Sequence, residues 1–302
     1  MRMTMPGYAV LFFLLFQWVS CTGGNGGLDL SMYDYRDTKK LVRFVHDAAV
    51  LLESDENALD SLRSDRDRYD KDDYYLYVYD TSGVNVFHAG MEFLEGRHLG
   101  DVVDVKGRNI FQLILEAVAD SCNPHSWVHY SWWEPGNIFP VPKSSCHFLV
   151  TTPGGRNLVL GGGMNYPLEE REFVRIAVDG AAAEFEKEGK PALGHIGDPC
   201  SRFNFRDVRV FAAGPDGAVA ISPLMADDLL QMNLLDVVDF TGTKYFALAL
   251  EKLSSGDAVW QVFLARTRFS RQPVKMGLYL KRAVSGDDTL FFGAVTNLPM
   301  PP

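Results

Sequence analysis

The sequence contains few cysteines and little positive charge, and each shortage excludes a class of protein. It has 4 cysteines in 302 residues, with no Cys-x-x-Cys pair and no Cys/His cluster, which excludes a zinc site of the usual spacing. The net charge of −10 argues against nucleic-acid binding, because phosphate contacts need a basic face. The Gly-x-Ser-x-Gly, His-Glu-x-x-His and P-loop motifs are also missing. We therefore expect that the protein is not an enzyme and uses neither a cofactor nor a metal ion.

No apolar run of the sequence is long enough to cross a bilayer. Residues 8–19 form an apolar run of 12, which is typical of the core of a secretory signal. Cys21 follows, and then a Gly-rich stretch, in a pattern that resembles a bacterial lipoprotein signal. The resemblance implies that residues 1–21 are a leader, that Cys21 carries a lipid and that residues 22–33 are a flexible tether; simple secretion is the alternative. We expect an exported protein, periplasmic or at the cell surface, held to the membrane through its lipid anchor only.

Export would permit disulfide bonds. Cys122 and Cys146 flank one predicted hairpin and could pair, in which case Cys200 would be left over. Two buried thiols are the alternative.

One segment of the chain occurs twice. Residues 101–118 and 236–253 lie 135 positions apart and share nine identical residues in eighteen positions without a gap. Shorter matches precede and follow this segment, among them Pro142-Lys143 with Val274-Lys275. A repeat at this distance indicates two related domains rather than a solenoid of small units.

Hydrophobic periodicity predicts the same order of elements in both halves: a long helix, two strands, a short helix and three strands. The first long helix is expected over 34–62 and the second over 169–188. The expected strands of the first half are 74–79, 84–88, 127–133, 146–152 and 157–163, with a short helix over 109–119. Asp101 and Asp104 are expected to cap that short helix and to brace the turn before it.

The motifs of the first half, taken in order, resemble a single Cache domain. They are Tyr-Leu-Tyr-Val-Tyr-Asp at 75–80 with Gly83, Gly-Asp-Val-Val-Asp-Val-Lys-Gly at 100–107, Trp-Val-His-Tyr-Ser-Trp-Trp-Glu-Pro at 127–135, Pro142-Lys143 and Gly-Gly-Gly at 161–163. The resemblance implies an α+β fold of two tandem PAS-like Cache modules, each a long N-terminal helix packed on a five-stranded antiparallel sheet. Residues 34–166 would form module 1. Residues 167–302 would form module 2, a degenerate copy that lacks the Tyr-x-Trp-x-x-Pro strand.

The family resemblance implies a pocket for a small extracellular ligand in module 1. Alternation along strands puts Tyr75, Tyr77 and Tyr79 on one face of one strand. Tyr130 and Trp132 likewise share a face of another strand. Hydroxyl and indole groups can donate to a carboxylate, and Lys143 can supply a positive charge. The candidate ligand-binding residues are Tyr77, Tyr79, His88, Arg97, Tyr130, Trp132 and Lys143.

The expected function is that of an exported sensory protein. It would bind a carboxylate or an amino-acid-like metabolite in module 1. It would report to a separate membrane partner, such as a histidine kinase or a chemoreceptor. The alternative is a structural or interaction lipoprotein with no ligand.

Overall fold

The computed structural model describes residues 28–71, 74–133, 138–223, 232–266 and 272–298. The helices are α1 Arg36–Ser54, α2 Ala58–Ser64, α3 Arg66–Tyr69, α4 Ile110–Ala119, α5 Arg171–Glu188, α6 Ala192–Ile196 and α7 Tyr245–Leu253, with 3-10 helices at Glu92–Leu94 and Leu234–Asp236. The strands are β1 Tyr74–Asp80, β2 Asn85–His88, β3 Val128–Trp132, β4 Val141–Thr151, β5 Asn157–Asn165, β6 Phe211–Ala213, β7 Val219–Ile221, β8 Ala258–Ala265, β9 Val274–Ser285 and β10 Asp288–Asn297. None of the helices in these ranges has the length and apolar character that a bilayer crossing requires. The predicted leader, with Cys21, lies outside the described residues.

The ten strands form two sheets with the same topology. The first sheet has the order β2-β1-β5-β4-β3 and the second the order β7-β6-β10-β9-β8. All neighbouring strands are antiparallel. The predicted α+β fold, with a five-stranded antiparallel sheet and a long helix in each half, is therefore confirmed. The boundaries of the two modules, 34–166 and 167–302, remain predictions.

A long helix covers one face of each sheet. Helix α1 buries residues at spacings of three and four, among them Leu41, Val45, Ala48 and Leu52, and this apolar stripe packs on β4 and β5. Helix α5 packs in the same way on β9 and β10. Each sheet thus has one face committed to its long helix, which leaves the opposite face for the shorter helices and the loops.

The first long helix is shorter than predicted. It ends at Ser54, and the chain resumes helical structure only at Ala58, so the prediction of one helix over 34–62 is wrong in its last part. The Asp55 carboxylate accepts a hydrogen bond from the backbone N–H of Asn57 at 2.9 Å. Such a local turn competes with the helical hydrogen-bond pattern and ends the helix.

The residues just before α1 are packed, contrary to the prediction of a flexible tether over all of 22–33. Leu30 and Tyr33 are buried. The Tyr33 hydroxyl accepts a hydrogen bond from the indole N–H of Trp127 at 2.7 Å. Burial of an aromatic ring with a satisfied hydroxyl holds this stretch against the first sheet. Nearby, the thiols of Cys122 and Cys146 are both free, so the possible disulfide bond does not form in this structure.

The repeated segment forms the same loop in both halves. Oδ1 of Asp104 accepts the backbone N–H groups of Lys106 and Arg108 at 2.9 and 3.1 Å. Oδ1 of Asp239 accepts the equivalent two N–H groups, of Thr241 and Thr243, at 2.8 and 3.0 Å. The expected bracing of the turn is therefore present in both copies.

The cap of α4, in contrast, is Asn109 and not Asp101 or Asp104. Oδ1 of Asn109 accepts the backbone N–H of Gln112 at 2.8 Å, because Asn109 directly precedes the first helical residue.

Several contacts join the two halves of the chain. The carboxylate of Glu170 accepts the backbone N–H groups of Asp34 and Tyr35, at 2.6 and 3.0 Å. The imidazole of His129 stacks on Phe205, with ring centroids 3.8 Å apart. Nζ of Lys106 donates to backbone carbonyls of 199 and 204. The start of α1 and the repeated loop are therefore both anchored on the second half.

Candidate functional site

The face of the first sheet that points away from α1 carries a row of tyrosines on β1. Successive rings of Tyr75, Tyr77 and Tyr79 have centroids 6.2 and 5.6 Å apart. We call this side of the sheet the tyrosine face. Helix α4 covers part of it, because Phe111 packs against Tyr79 at a centroid distance of 5.6 Å. The row arises from alternation along the strand, as the sequence predicts.

The glycine run of β5 makes room on the tyrosine face. A Cβ atom at Gly161 would lie 2.5 Å from Cε2 of Tyr77 and 2.6 Å from Cδ2 of His147. A Cβ atom at Gly163 would collide with Cε of Lys143. Both glycines are therefore needed so that side chains from the neighbouring strands can lie flat over β5.

Lys143 lies inside the protein at the end of the tyrosine row. Only 1% of its surface is exposed, and its Nζ is 3.5 Å from the centroid of the Tyr75 ring, a cation–π contact. Lysine is almost never fully buried unless its charge is paired. The pKa of His88 and the pKa of His147 are both lowered, mainly by burial and further by Lys143. The ammonium group therefore acts on both imidazoles.

A hydrogen-bonded chain runs across the middle of the tyrosine face. Nδ1 of His147 donates to the carbonyl of Ser126 at 2.8 Å, so the proton of the neutral ring is on Nδ1. Nε2 of His147 then accepts from the Tyr77 hydroxyl at 2.9 Å, and the Tyr77 hydroxyl lies 3.3 Å from that of Tyr130. Burial lowers the pKa of His147 to about 4 and raises those of Tyr77 and Tyr130. All three groups are therefore neutral near pH 7.

His88 reaches the tyrosine face through an irregularity in β2. The register between β1 and β2 shifts between Val78 and Tyr79, so Asn85 and His88, three residues apart, both pair with tyrosines of the row. The His88 ring stacks on Tyr77 at 6.0 Å. Its Nδ1 accepts the backbone N–H of Met91, which leaves Nε2 as the protonated nitrogen. Burial lowers the pKa of His88 to about 3, so the ring is neutral.

The other predicted residues divide into two groups. Tyr79 and Tyr130 are buried on the tyrosine face, and Trp132 lies edge-on to Tyr130 at 6.3 Å. The indole Nε1 of Trp132 is buried and forms no hydrogen bond with a described residue. Arg97, in contrast, is exposed, and its guanidinium lies over the ring of Phe93 at 5.7 Å. The structure therefore brings together six of the seven candidates and leaves Arg97 at the surface.

Sequence reasoning missed several residues of the site. Ser145 and His147 follow Lys143 at intervals of two, so alternation along β4 could have placed them on its face. Alternation along β1 does predict Tyr75 in the row, although it is not among the seven candidate residues. Asn85 had no such signal, because regular alternation puts Asn85 and His88 on opposite faces and only the register shift brings them together.

The corresponding face of the second sheet is largely apolar, with Gln261 as a buried polar residue. Its buried cluster consists of Ala213, Phe246, Ala249, Leu253, Phe263, Leu278 and Leu280. Lys275, which the sequence repeat aligns with Lys143, is exposed. The donors of the first sheet thus have no counterpart among the buried residues of this cluster, which agrees with a degenerate second copy.

The arrangement on the first sheet suits a small anion. Phenol, imidazole and indole groups and a buried ammonium group converge on a face whose remaining surface is aromatic and aliphatic. Hydrogen-bond donors beside a positive charge stabilise a carboxylate more than donors alone. Within the described ranges, no group of three or more His, Cys, Asp or Glu side chains is placed to hold a metal ion.

Comparison with known families identifies part of this half of the chain. Residues 53–148 match the family model "Single Cache domain 2". The resemblance inferred from the motifs is therefore confirmed for this segment, which contains β1 to β3, α4 and most of the polar residues of the tyrosine face. No curated protein matches the chain.

Solved structures of chemotaxis sensors are similar to parts of the chain. One is a methyl-accepting chemotaxis protein from Vibrio parahaemolyticus, with 23% identity, a TM-score of 0.35 and coverage of 42% of this chain and 84% of that one. A periplasmic sensor domain of a chemotaxis protein shows 25% identity, a TM-score of 0.37 and coverage of 43% and 94%. A Cache chemosensory domain studied for carboxylic acid recognition shows 21% identity, a TM-score of 0.35 and coverage of 43% and 94%.

Proposed function

We propose that the first half of the chain, whose residues 53–148 match the Single Cache domain 2 family, binds a small carboxylate or amino-acid-like metabolite on its tyrosine face. Cache domains are signalling modules that bind small ligands. The protein would act as an exported sensor rather than an enzyme. It would be anchored through lipid at Cys21 and report to a separate membrane partner such as a histidine kinase or a chemoreceptor.

The burial of Lys143 is the observation that supports this proposal most. Removal of an ammonium group from water is unfavourable unless the charge is paired and hydrogen-bonded. Here it lies at the end of an aromatic row, beside two imidazoles that stay neutral near pH 7. Neutral imidazole and phenol groups can donate hydrogen bonds to an anion without adding charge, so Lys143 would supply the single charge that a monocarboxylate needs.

The internal hydrogen bonds of the tyrosine face favour the alternative of a structural lipoprotein with no ligand. Tyr77 already has partners in His147 and Tyr130. A ligand would have to exchange these bonds for its own. Thermal stability in the presence of candidate ligands decides between the two functions, because only a protein that binds a ligand is stabilised by it.

The experiment is a thermal-shift screen of the purified protein with acetate, propionate, pyruvate, lactate, succinate and the common amino acids. A ligand present at 100 times its dissociation constant should stabilise the folded protein by about 2.7 kcal/mol. Lys143→Met removes the charge but keeps the length of the side chain, so it should abolish the shift. Lys275→Met is the matched control, because this exposed lysine is the aligned residue of the second half, and it should leave the shift intact.

Two outcomes would contradict the proposal. If no compound of the screen stabilises the wild-type protein, the structural alternative is favoured. If a compound stabilises the wild type and the Lys143→Met variant equally, its carboxylate binds elsewhere.

A further inference from the structure

Asn85 is a buried polar residue whose side chain has no hydrogen bond in the described part of the chain. Asn85 is completely buried, with 0% of its surface exposed, and neither Nδ2 nor Oδ1 of its side chain has a hydrogen-bond partner among the described residues. Burial raises the pKa of Tyr79, and the nearby Asn85 amide opposes that rise, but no atom of the amide meets the geometry of a hydrogen bond. Buried amides in folded proteins are nearly always paired, because the loss of water must be compensated.

The backbone fixes the direction in which the Asn85 side chain points. Its N–H donates to the carbonyl of Arg97 at 2.9 Å, and its carbonyl accepts the N–H of Gly96 at 2.7 Å. Cross-strand pairing with Tyr79, next to the register shift, places the side chain on the tyrosine face. Main-chain hydrogen bonds therefore fix the position of the Asn85 amide on the tyrosine face.

Asn85 and Lys143 lie at opposite ends of the tyrosine row. Lys143 contacts Tyr75, and Asn85 pairs with Tyr79. Between them the ring centroids are spaced at 6.2 and 5.6 Å. Consider a ligand with a carboxylate and a second polar group separated by two or three carbon atoms. With a hydrogen bond of about 2.9 Å at each end, it spans a distance close to the length of the row from the Tyr75 ring to the Tyr79 ring.

We propose that Asn85 is a second recognition residue of the tyrosine face. The ligand is then a short carboxylic acid whose far end carries a group that both donates and accepts hydrogen bonds, such as a carboxamide. Oδ1 of Asn85 accepts from that group and Nδ2 donates to it, while the carboxylate lies near Lys143. This inference rests on the proposed function, since it requires that an acid binds on the tyrosine face.

Three acids of nearly equal shape test the proposal. Succinamate, levulinate and 4-methylpentanoate end in a carboxamide, a methyl ketone and an isopropyl group, so they offer donor and acceptor, acceptor only, and neither. Isothermal titration of the wild-type protein should give a dissociation constant for succinamate about 10-fold or more below that for 4-methylpentanoate, with levulinate between them. The same three end groups on a chain one carbon longer test the three-carbon separation.

Asn85→Leu is the matched variant, because leucine has nearly the shape of asparagine and no polar atoms. It should weaken succinamate binding about 10-fold and leave 4-methylpentanoate binding equal or tighter. Asn85→Ala gives the same loss for succinamate and replaces Asn85→Leu if circular dichroism shows that the leucine variant is unfolded.

The outcomes separate this inference from the proposed function. If acids bind and Lys143→Met abolishes their binding, but Asn85→Leu binds all three as the wild type does, Asn85 has no part in recognition. The same holds if the wild type binds the three acids equally. If no acid binds the wild type at all, the proposed function itself is contradicted.

Discussion

The Tyr77 hydroxyl donates to Nε2 of His147 at 2.9 Å, and the Nδ1 proton of His147 is fixed by the carbonyl of Ser126. Because a carbonyl oxygen can only accept, it determines which atom donates in each of these hydrogen bonds. Protonation of His147 would remove the acceptor of Tyr77 and place a second positive charge near Lys143. The tyrosine face is therefore intact only while His147 is neutral.

The stability of the protein should fall on acidification because of His147. Burial holds its pKa at about 4 in the folded protein, below the ordinary value of 6.5. The folded state thus binds this proton less readily than the unfolded state. The stabilising contribution of the neutral ring is fully present above pH 6.5 and is lost as the pH falls towards 4. Each pH unit of this interval lowers the free energy of unfolding by up to about 1.4 kcal/mol.

Urea unfolding between pH 7.5 and 4.5 measures this effect. His147→Gln should lose less stability on acidification than the wild type, although His88 and His125, whose pKa values burial also lowers, act in the same direction in both proteins. His98→Gln, at an exposed position, is the control and should keep the wild-type slope. Equal slopes for His147→Gln and the wild type would show that His147 is not buried in its neutral form.

A methyl group at Gly161 should destabilise the first sheet. The Cβ of Gly161→Ala would lie 2.5 Å from Cε2 of Tyr77 and 2.6 Å from Cδ2 of His147, closer than carbon atoms can approach. The rings must move and the hydrogen bond between them must lengthen. We expect a loss of about 1–3 kcal/mol in the free energy of unfolding, measured by urea denaturation. Gly256→Ala, which has no neighbouring atom within 4 Å of its Cβ position, should cost far less, and similar losses for both would contradict the proposed crowding.

Much of the fold could be predicted from the sequence because it depends on local patterns. Alternation along β1 placed Tyr77 and Tyr79 on one face, and the repeat of residues 101–118 revealed two copies of one loop. What could not be predicted depends on the register between strands. The shift between Val78 and Tyr79 that turns Asn85 towards the tyrosines has no signature in residue types.

The position of Lys143 illustrates the same limit. The motif marked it as a candidate, but its burial follows from Gly163 on the neighbouring strand, which leaves space for the lysine stem. Arg97 was an equally suitable hydrogen-bond donor for a carboxylate. It lies at the surface because its short loop turns it over Phe93 rather than towards the sheet. The residue types made both Lys143 and Arg97 candidates. Only the strand pairing shows that Lys143 lies on the tyrosine face and Arg97 does not.

Glu170 should stabilise the start of α1 from the other half of the chain. Its side chain is fully buried and accepts the N–H groups of Asp34 and Tyr35, the two residues that directly precede the first residue of α1. Glu170→Ala should lower the free energy of unfolding by about 1–3 kcal/mol, because two N–H groups lose their acceptor. Hydrogen exchange at residues 34 and 35 should become faster, which locates the effect. Glu186→Ala, at an exposed position of α5, is the control. Unchanged exchange at residues 34 and 35 in Glu170→Ala would show that Glu170 does not hold this helix start.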